Sequence, residues 1–548
     1  MHRLFAIPAA LAAVAVALSF WGWMGWPVAV VDAPSPRMHC LSYTPYDGGS
    51  APIDRGYDVS EARIEADLKA LSSMTGCIRT YSSRGPQGAV IRIADSLGYK
   101  VHLGVWANAN PVDTADEIAQ AVALAKAYPK TVISLVVGNE VMLRREMTAQ
   151  RLADYIREVR EKSGIPVTYA DIYEFWRVNP ILADAVDFMM VHILPYWDDP
   201  EPVSIDAVQP HVKGIVKTIQ DTFPGRPMII GEIGWPSAGR TRGAAVPGLV
   251  NEARFLREFM NEIGTVGMDY NIIEAVDQGW KRRPEGTVGG YWGVFDKHRQ
   301  QKFPLTGPVS EWPRWQECLL ATLGIALLVL LWGLMPGRRL TPLSWIGLGV
   351  TGAVLGATFV LQAHQAETSS VYVTDWIKGG FFAVLTLAAF RLLVLPVFTA
   401  GESHRPLGPP ASIDAVLAWL RRPSPTAYTP EIGLGLLAWA VLIASAVMAV
   451  VLAIDGRHRD FPLAGLWLPA AAFILHRLKG ADSRAWIRGR REEGWLALVI
   501  VALAPFSWDG VQNVEAMAWI VLAVALATPW LGAMRRVLRS PSVEPGGA

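Results

Sequence analysis

Hydrophobic positions along this chain fall into two regimes. From Met38 to about Trp315, short apolar runs alternate with stretches whose apolar residues recur at three and four; from Cys318 onward, long apolar runs dominate. In the first regime we read eight strands. They are CLSYTPY from Cys40, CIRTYSS from Cys77, KVHLGVWA from Lys100, TVISLVVGNE from Thr131, PVTYADIY from Pro166, VDFMMVHILPYW from Val186, PMIIGEIGWPS from Pro227 and YNIIEAVDQGW from Tyr270. Helical patterns start at Ser60, Thr114, Thr148, Ile205 and Val250, with Ser60 placed to cap the first. Strands alternating with amphipathic helices point to a parallel α/β architecture. Eight such units over roughly 280 residues fit a (β/α)8 TIM barrel, whose usual size is about 250 residues. Chain order alone also permits a doubly wound open sheet, but the first strand–helix turn lacks the Gly-rich phosphate fingerprint of that fold.

The apolar runs of the second regime have a counterpart at the N-terminus, Leu4 to Val31 just after Arg3. That run is long enough to span a bilayer, which takes about 20 residues. A cleaved signal peptide has a shorter apolar core and a small-x-small site. Here the following DAPSPR sets prolines against cleavage, so an uncleaved signal anchor is expected over residues 1–36. Further spans are read at Leu319–Met335, Leu343–Leu361, Trp376–Phe398, Ile432–Ile454, Phe461–Leu475, Trp495–Phe506 and Ala516–Met534. Those starting at Phe461 and Trp495 are short. The expected division is therefore an anchor over 1–36, a barrel over 37–316 and a membrane domain of about seven transmembrane helices over 317–548.

Positive charge orients these spans. Arg338 and Arg339, then Arg405, Arg421 and Arg422, then Arg477, Lys479, Arg484, Arg488, Arg490 and Arg491, and finally Arg535, Arg536 and Arg539 fall in alternate loops, with Arg457 and Arg459 as exceptions. This places both termini in the cytoplasm and the barrel outside, which in a bacterium is the periplasm beyond the inner membrane. Arg391, inside an apolar run, reads as a snorkelling side chain.

Composition narrows the chemistry. The chain has 548 residues, 51% hydrophobic, with a formal net charge of +1 and no basic stripe interleaved with aromatics, which argues against a nucleic-acid partner. Of the three cysteines, Cys40 and Cys77 open neighbouring strands. An oxidising compartment permits a disulfide between them, whereas parallel neighbours rarely meet its geometry, and the pairing stays open. No His or Cys spacing suggests a metal, and no cofactor is indicated.

In a barrel the C-terminal ends of the strands form the active face. There the sequence places Asn139 and Glu140, Glu232, Tyr196 and Trp197, Glu274, Asp277, Trp280 and Lys281, Arg79 and Tyr81, and Tyr43 and Tyr46. Two carboxylates for the anomeric carbon, polar groups for hydroxyls and flat rings for sugar faces are what glycoside cleavage needs. Each residue also has a plainer reading. Glu140 can be a helix-start charge, the tryptophans core, Arg79 a structural ion pair, Asp198 and Asp199 solvated loop charges, and His102 and His192 hydrogen-bonded strand residues. The conjunction of two glutamates and several rings at one end favours the functional reading.

These segments resemble glycoside hydrolase family 17, the β-1,3-glucanase and β-glucan glucosyltransferase family, over about Met38 to Pro308. VVGNEV is similar to its acid/base segment and GEIGWPS to its nucleophile segment. EAVDQGWK resembles the eighth-strand segment of its microbial members, and GGYWGVFDKHRQQKF the stretch after that strand. Gln278 departs from the acidic residue of plant and fungal relatives, while Lys281 matches. The resemblance implies Glu140 as acid/base and Glu232 as nucleophile of a retaining mechanism, Asn139 on the 2-hydroxyl, Tyr196 on Glu232, and Trp176, Trp197, Trp235, Trp280 and Trp292 as subsite platforms. Glu274, Lys281, Tyr46, Arg79 and Tyr81 complete the expected binding set.

The family pattern does not decide the acceptor: water makes a hydrolase, a glucan hydroxyl a transglycosylase. The extra spans, and the association of bacterial membrane-bound members with periplasmic or cyclic β-glucan synthesis, favour a glucosyltransferase that elongates, branches or cyclises β-1,3-glucan. The expected partners are a β-1,3-glucan donor, a glucan acceptor, the lipid bilayer and a β-glucan synthase. The alternatives are a membrane-anchored endo-β-1,3-glucanase and a non-catalytic glucan-binding scaffold. Few charges fall inside the spans, so a transporter is not supported.

Overall fold

A computed structural model describes residues 2–46, 59–336, 338, 340–399, 408–479, 486–487 and 490–539. Arg339, Arg405, Arg484 and Arg488 therefore lie outside the described residues. The chain divides into two compact units, Pro27–Ser310 and Met1–Trp26 with Glu311–Ala548. Both divisions fall earlier than those read from hydropathy, because Val28 pairs with Val309 and Asp32 accepts the Gly307 N–H within the first unit.

That unit is a closed parallel barrel in which each strand pairs with the next and β8 returns to β1. The strands are β1 Cys40–Ser42, β2 Cys77–Arg79, β3 Lys100–Val105, β4 Val132–Asn139, β5 Val167–Ile172, β6 Met189–Ile193, β7 Met228–Ile233 and β8 Tyr270–Ile272. All eight expected strands form, and none is left as the edge that an open sheet would have. Apolar faces of the surrounding helices, such as Leu152, Ala153, Ile156 and Val159 of Ala149–Ser163, bury against the barrel. Ser60 accepts the Arg63 N–H as expected of a cap, and Thr148 accepts that of Arg151.

Three helical segments escaped the periodicity. Gly85–Ser96 opens on Gly-Pro, which reads as a turn, yet proline is well suited to a first helical turn. Tyr173–Val178 and Pro180–Ala185 are too short to show a period. The helix expected from Thr114 begins at Pro111, capped by the Asn110 side chain.

Cys40 and Cys77 are joined in a disulfide, with Cα atoms 4.5 Å apart at the starts of β1 and β2. The sequence left this pairing open, because parallel neighbours rarely meet disulfide geometry. Both cysteines are the first residues of β1 and β2, so the bond staples the barrel's base, away from the mouth.

The second unit is helical. Among its described residues and the N-terminal segment, six helices are long and apolar enough to cross a membrane: Ala6–Met24, Trp315–Gly333, Pro342–Ser369, Val373–Phe398, Pro430–His458 and Val514–Arg539. The expected spans at Phe461 and Trp495 form shorter helices, Leu463–Lys479 and Arg491–Leu503. The second rises only about 20 Å, short of a hydrocarbon core of about 30 Å. Ala9, Ala13, Ala17 and Trp21 make one buried stripe on the N-terminal helix. Its backbone comes so close to Pro342–Ser369 that a Cβ on Gly349 would stand 2.1 Å from the Ala9 carbonyl oxygen. The Trp21 indole donates to Thr322 Oγ1 at 2.8 Å.

Candidate active site

Two local irregularities aim the glutamates. On β4, Val136 pairs with Thr168 but Asn139 with Ala170, so β4 carries one residue more than β5 over that step. On β7, Val191 of β6 pairs with Ile230 and His192 with Glu232, which leaves Gly231 without a partner in the ladder. Such bulges bend a strand and re-aim its side chains. Each contains a glycine just upstream of a candidate: Gly138 with φ 91°, and Gly231, where a Cβ would lie 2.8 Å from His192 Cδ2.

Glu140 itself has φ 52°. A non-glycine residue there costs about 1 kcal/mol. It is held by its N–H to the Ala170 carbonyl at 2.8 Å and by the Arg144 N–H on its own carbonyl. Glu140 therefore does not open a helix, and the helix-start reading fails. Its side chain keeps 22% exposure, whereas that of Glu232 keeps 4%. Carboxylate oxygens of the two glutamates and a ring nitrogen of His192 lie within 4.8 Å of one another.

Glu232 is enclosed by donors. Its Oε1 accepts from Arg79 Nη1 at 2.5 Å and from the Tyr81 hydroxyl at 2.8 Å, and His192 Nε2 stands 3.6 Å away. Burial pushes its pKa up, but His192, Arg79 and Lys281 act against that and the carboxyl ends below its ordinary range. Arg79 also donates through Nη2 to Asn139 Oδ1, so one guanidinium ties β2 to both candidate segments. Arg79 is thus an ion pair and part of the site at once.

Glu274 and Lys281 form a second buried pair beside it, 2.7 Å apart. Burial raises the Glu274 pKa and Lys281 opposes it. The Lys281 ammonium stays firmly charged despite burial, because Glu274, Tyr81, Glu285 and Glu232 surround it. Gln278 bonds the Thr44 and Val276 carbonyls and accepts from the Trp280 indole, which is a scaffolding role.

Several expected residues stand elsewhere. The Tyr196 hydroxyl donates to the Arg240 carbonyl at 2.6 Å, and the phenol bonded to Glu232 is that of Tyr81. Trp176 and Trp235 are fully buried, with indoles bonded to the Met190 and Val246 carbonyls, and Trp292 is 3% exposed. A ring with no open face cannot stack on a sugar, so these three belong to the core. Trp197 and Trp280 keep partly open rings. Tyr46 is buried, and Tyr43 is buried and bonded to Asp67. Asp198 and Asp199 are paired with His211 and Arg242.

The sequence reading passed over three groups. Trp106 lies under the Arg144 guanidinium, 4.3 Å from ring centroid to Cζ, and Arg144 bonds the Asn139 carbonyl. Asp171, bonded to Tyr169, is pushed up to about 6, chiefly by burial. Glu285 is pushed up to about 7, also chiefly by burial. Only Trp106, at the end of the third strand, left a readable signal.

Two groups of side chains have metal-like spacing among the described residues, Cys40–Cys77–His102 and Glu140–His192–Glu232. The sulfurs of the first are consumed by the disulfide. In the second, Arg79 already supplies the positive charge against Glu232. What the second arrangement can do is present one shielded carboxylate and one accessible carboxyl to the same bond.

Residues 40–293 match the family model described as the BtgE/BtgC glycoside hydrolase domain. A glucan 1,3-beta-glucosidase of Saccharomyces cerevisiae is 27% identical over 45% of this chain and 85% of its own length, and one of Arthroderma benhamiae 29% identical over 44% and 84%. The solved glycoside hydrolase family 17 beta-1,3-glucanosyltransferase of Rhizomucor miehei is 25% identical, covering 49% of this chain and 97% of its own, with a TM-score of 0.43. The barrel of this chain is therefore similar to a BtgE/BtgC glycoside hydrolase domain.

Proposed function

We propose that this protein is a membrane-bound β-glucan glucosyltransferase that acts on β-1,3-glucan by retaining double displacement. The substrate class follows the glucan 1,3-beta-glucosidase relatives. The observation that carries the mechanism is the Glu140–Glu232 pair, whose carboxylate oxygens approach within 4.8 Å. Retaining enzymes need carboxyls about 5–5.5 Å apart, while inverting ones leave room for a water at about 6.5–9.5 Å. Their environments also differ in the required sense. Glu232, held ionised by His192, Arg79, Lys281 and Tyr81 against its burial, is the nucleophile. Glu140, with an accessible edge, protonates the leaving oxygen and then deprotonates the acceptor. Asn139 is fixed by Arg79 beside the nucleophile, where a sugar 2-hydroxyl would stand. Trp197 and Trp280 offer the stacking faces, and Lys281 with Glu274 shapes the floor.

The six long apolar helices support membrane attachment. The buried alanine stripe of the N-terminal helix supports its retention as an anchor. The disulfide supports an oxidising compartment for the barrel, in agreement with the positive-inside orientation and both termini cytoplasmic. Arg477, Lys479, Arg490 and Arg491 lie at the facing ends of the two short helices, which favours those ends lying on the cytoplasmic side. Fixed in a membrane, the domain meets chains made there, such as the product of a β-glucan synthase, and transfer suits that setting. The hydrolase reading remains the second, favoured by the relatives' names.

The purified full chain, incubated with β-1,3-gluco-oligosaccharides, should yield products longer than the donor, branched or cyclic. Only shorter products would establish the hydrolase. An inactive wild type would establish the scaffold.

A further inference from the structure

His192 lies between the two glutamates and is fully buried, and neither the family match nor the relatives assign it a role. Its Nδ1 is 3.1 Å from Glu140 Oε1, and its Nε2 is 3.4 Å from Arg79 Nη1. A carboxylate oxygen accepts, so at the contact with Glu140 the Nδ1 atom carries a proton. Nδ1–H then donates to Glu140 Oε1. The bulge at Gly231 makes room for the ring: a Cβ there would lie 2.8 Å from His192 Cδ2 and 3.2 Å from Nε2. The glycine before the nucleophile is thus explained by the imidazole beside it.

We infer that His192 is a positioning residue that reserves Oε1 of Glu140 as a hydrogen-bond acceptor and so assigns the transferable proton to Oε2. This rests on Glu140 being the acid/base. In the first step the Oε2 proton passes to the leaving oxygen as the C1–O bond breaks and a Glu232 oxygen bonds C1. In the second, the acceptor hydroxyl gives its proton to Oε2 as its oxygen bonds C1 and the Glu232 ester breaks. His192 neither gains nor loses a proton, and donates to Oε1 throughout.

The other charged or titratable groups facing this pair are Arg79 and Tyr81 from β2 and its turn, Arg144 after β4, Tyr169 and Asp171 from β5, Glu232 from β7, and Glu274, Lys281 and Glu285 after β8. All remain when His192 alone is replaced, so a shift between such variants reports the imidazole.

The test compares wild type, His192→Ala, His192→Asn, His192→Gln and Glu140→Ala as full chains. Each is given a β-1,3-gluco-oligosaccharide, which needs an acid, and a dinitrophenyl β-laminaribioside, whose leaving group does not. We expect His192→Ala to lose about 100-fold in kcat/KM on the oligosaccharide but under about tenfold on the aryl substrate. Asparagine places an amide N–H where Nδ1 stands and should recover most of the loss. Glutamine places it where Nε2 stands and should not, which keeps the test decisive if the alanine variant fails to fold. Equal losses on both substrates, unchanged activity, or rescue by glutamine but not asparagine would overturn the inference. Glu140→Ala separates the two claims. If it shows no leaving-group dependence, the acid/base reading itself falls; if it does and His192→Ala does not, only the role of His192 falls.

Discussion

Two clusters of cations and carboxylates in the barrel differ in one respect. At the mouth, Arg79 binds Glu232, with Lys281 and Glu274 alongside. Behind it, Lys302 stands 3.0 Å from both Asp277 and Glu252 and donates to Ser237 Oγ at 2.8 Å. All members of the second cluster are buried, with side chains at most 8% exposed. Burial pushes Glu252 up to about 8 and Asp277 up to about 6, with Lys302 opposing both. A perturbed carboxyl therefore does not mark a site by itself. The mouth cluster is distinguished by a neighbour, Glu140, that keeps an accessible edge and meets Glu232 through His192. Perturbation with access is chemistry; perturbation without it is framework.

The largest expected effect breaks the mouth cluster. Arg79→Met removes the 2.5 Å partner of Glu232 and the tie to Asn139. It should cost on the order of 10³-fold in kcat/KM. Because Arg79 is among the charges holding the Glu232 pKa down, the acidic limb of the pH–rate profile should move to higher pH.

Lys302→Met breaks the other cluster and should act on stability instead. Two buried carboxyls lose their cation, which costs about 3–5 kcal/mol. Thermal unfolding of the barrel should fall accordingly, while KM measured well below the transition stays unchanged. A loss of activity at full foldedness would erase the distinction between the clusters.

A third test uses pH. A carboxyl raised in the folded state favours folding at low pH, and that contribution is lost as pH rises through its folded pKa. For Glu252 the window runs from its unfolded value near 4.3 to about 8. Lys302, raised in the folded state, contributes stability lost only at higher pH still. The Tm should therefore decline from pH 6 to 9, and Glu252→Gln should flatten that decline. An identical slope in the variant would refute it.

The smallest effect sorts the tryptophans. Trp280→Ala should raise KM about fivefold, the loss of one stacking face of about 1 kcal/mol. Trp176→Ala should leave KM alone and lower stability by about 3–5 kcal/mol.

Much of this was legible in the sequence, and the failures share a cause. All eight strands and the strand-end positions of Glu140 and Glu232 follow from local pattern, since alternation and turn residues report a residue's own neighbourhood. Which side chain meets which across the barrel depends on register, and it shifts at four strand pairs. Tyr81 rather than Tyr196 holds Glu232, and His192, read as an ordinary strand residue, comes to face both glutamates. The buried tryptophans carry the same lesson, because a ring near a strand end has no readable sign of whether its face is open. The disulfide stayed open in the sequence, because spacing along the chain does not report how closely two strand starts approach.

The central claim is that Glu232 is the covalent nucleophile. Incubating the full chain with a dinitrophenyl 2-deoxy-2-fluoro-β-laminaribioside, which forms the glycosyl-enzyme readily but releases it slowly, and mapping the adduct by peptide mass spectrometry tests this directly. One adduct is predicted, on the peptide containing Glu232, and none in Glu232→Gln. An adduct on another residue, or no adduct together with inversion of the anomeric centre in turned-over substrate, would contradict it.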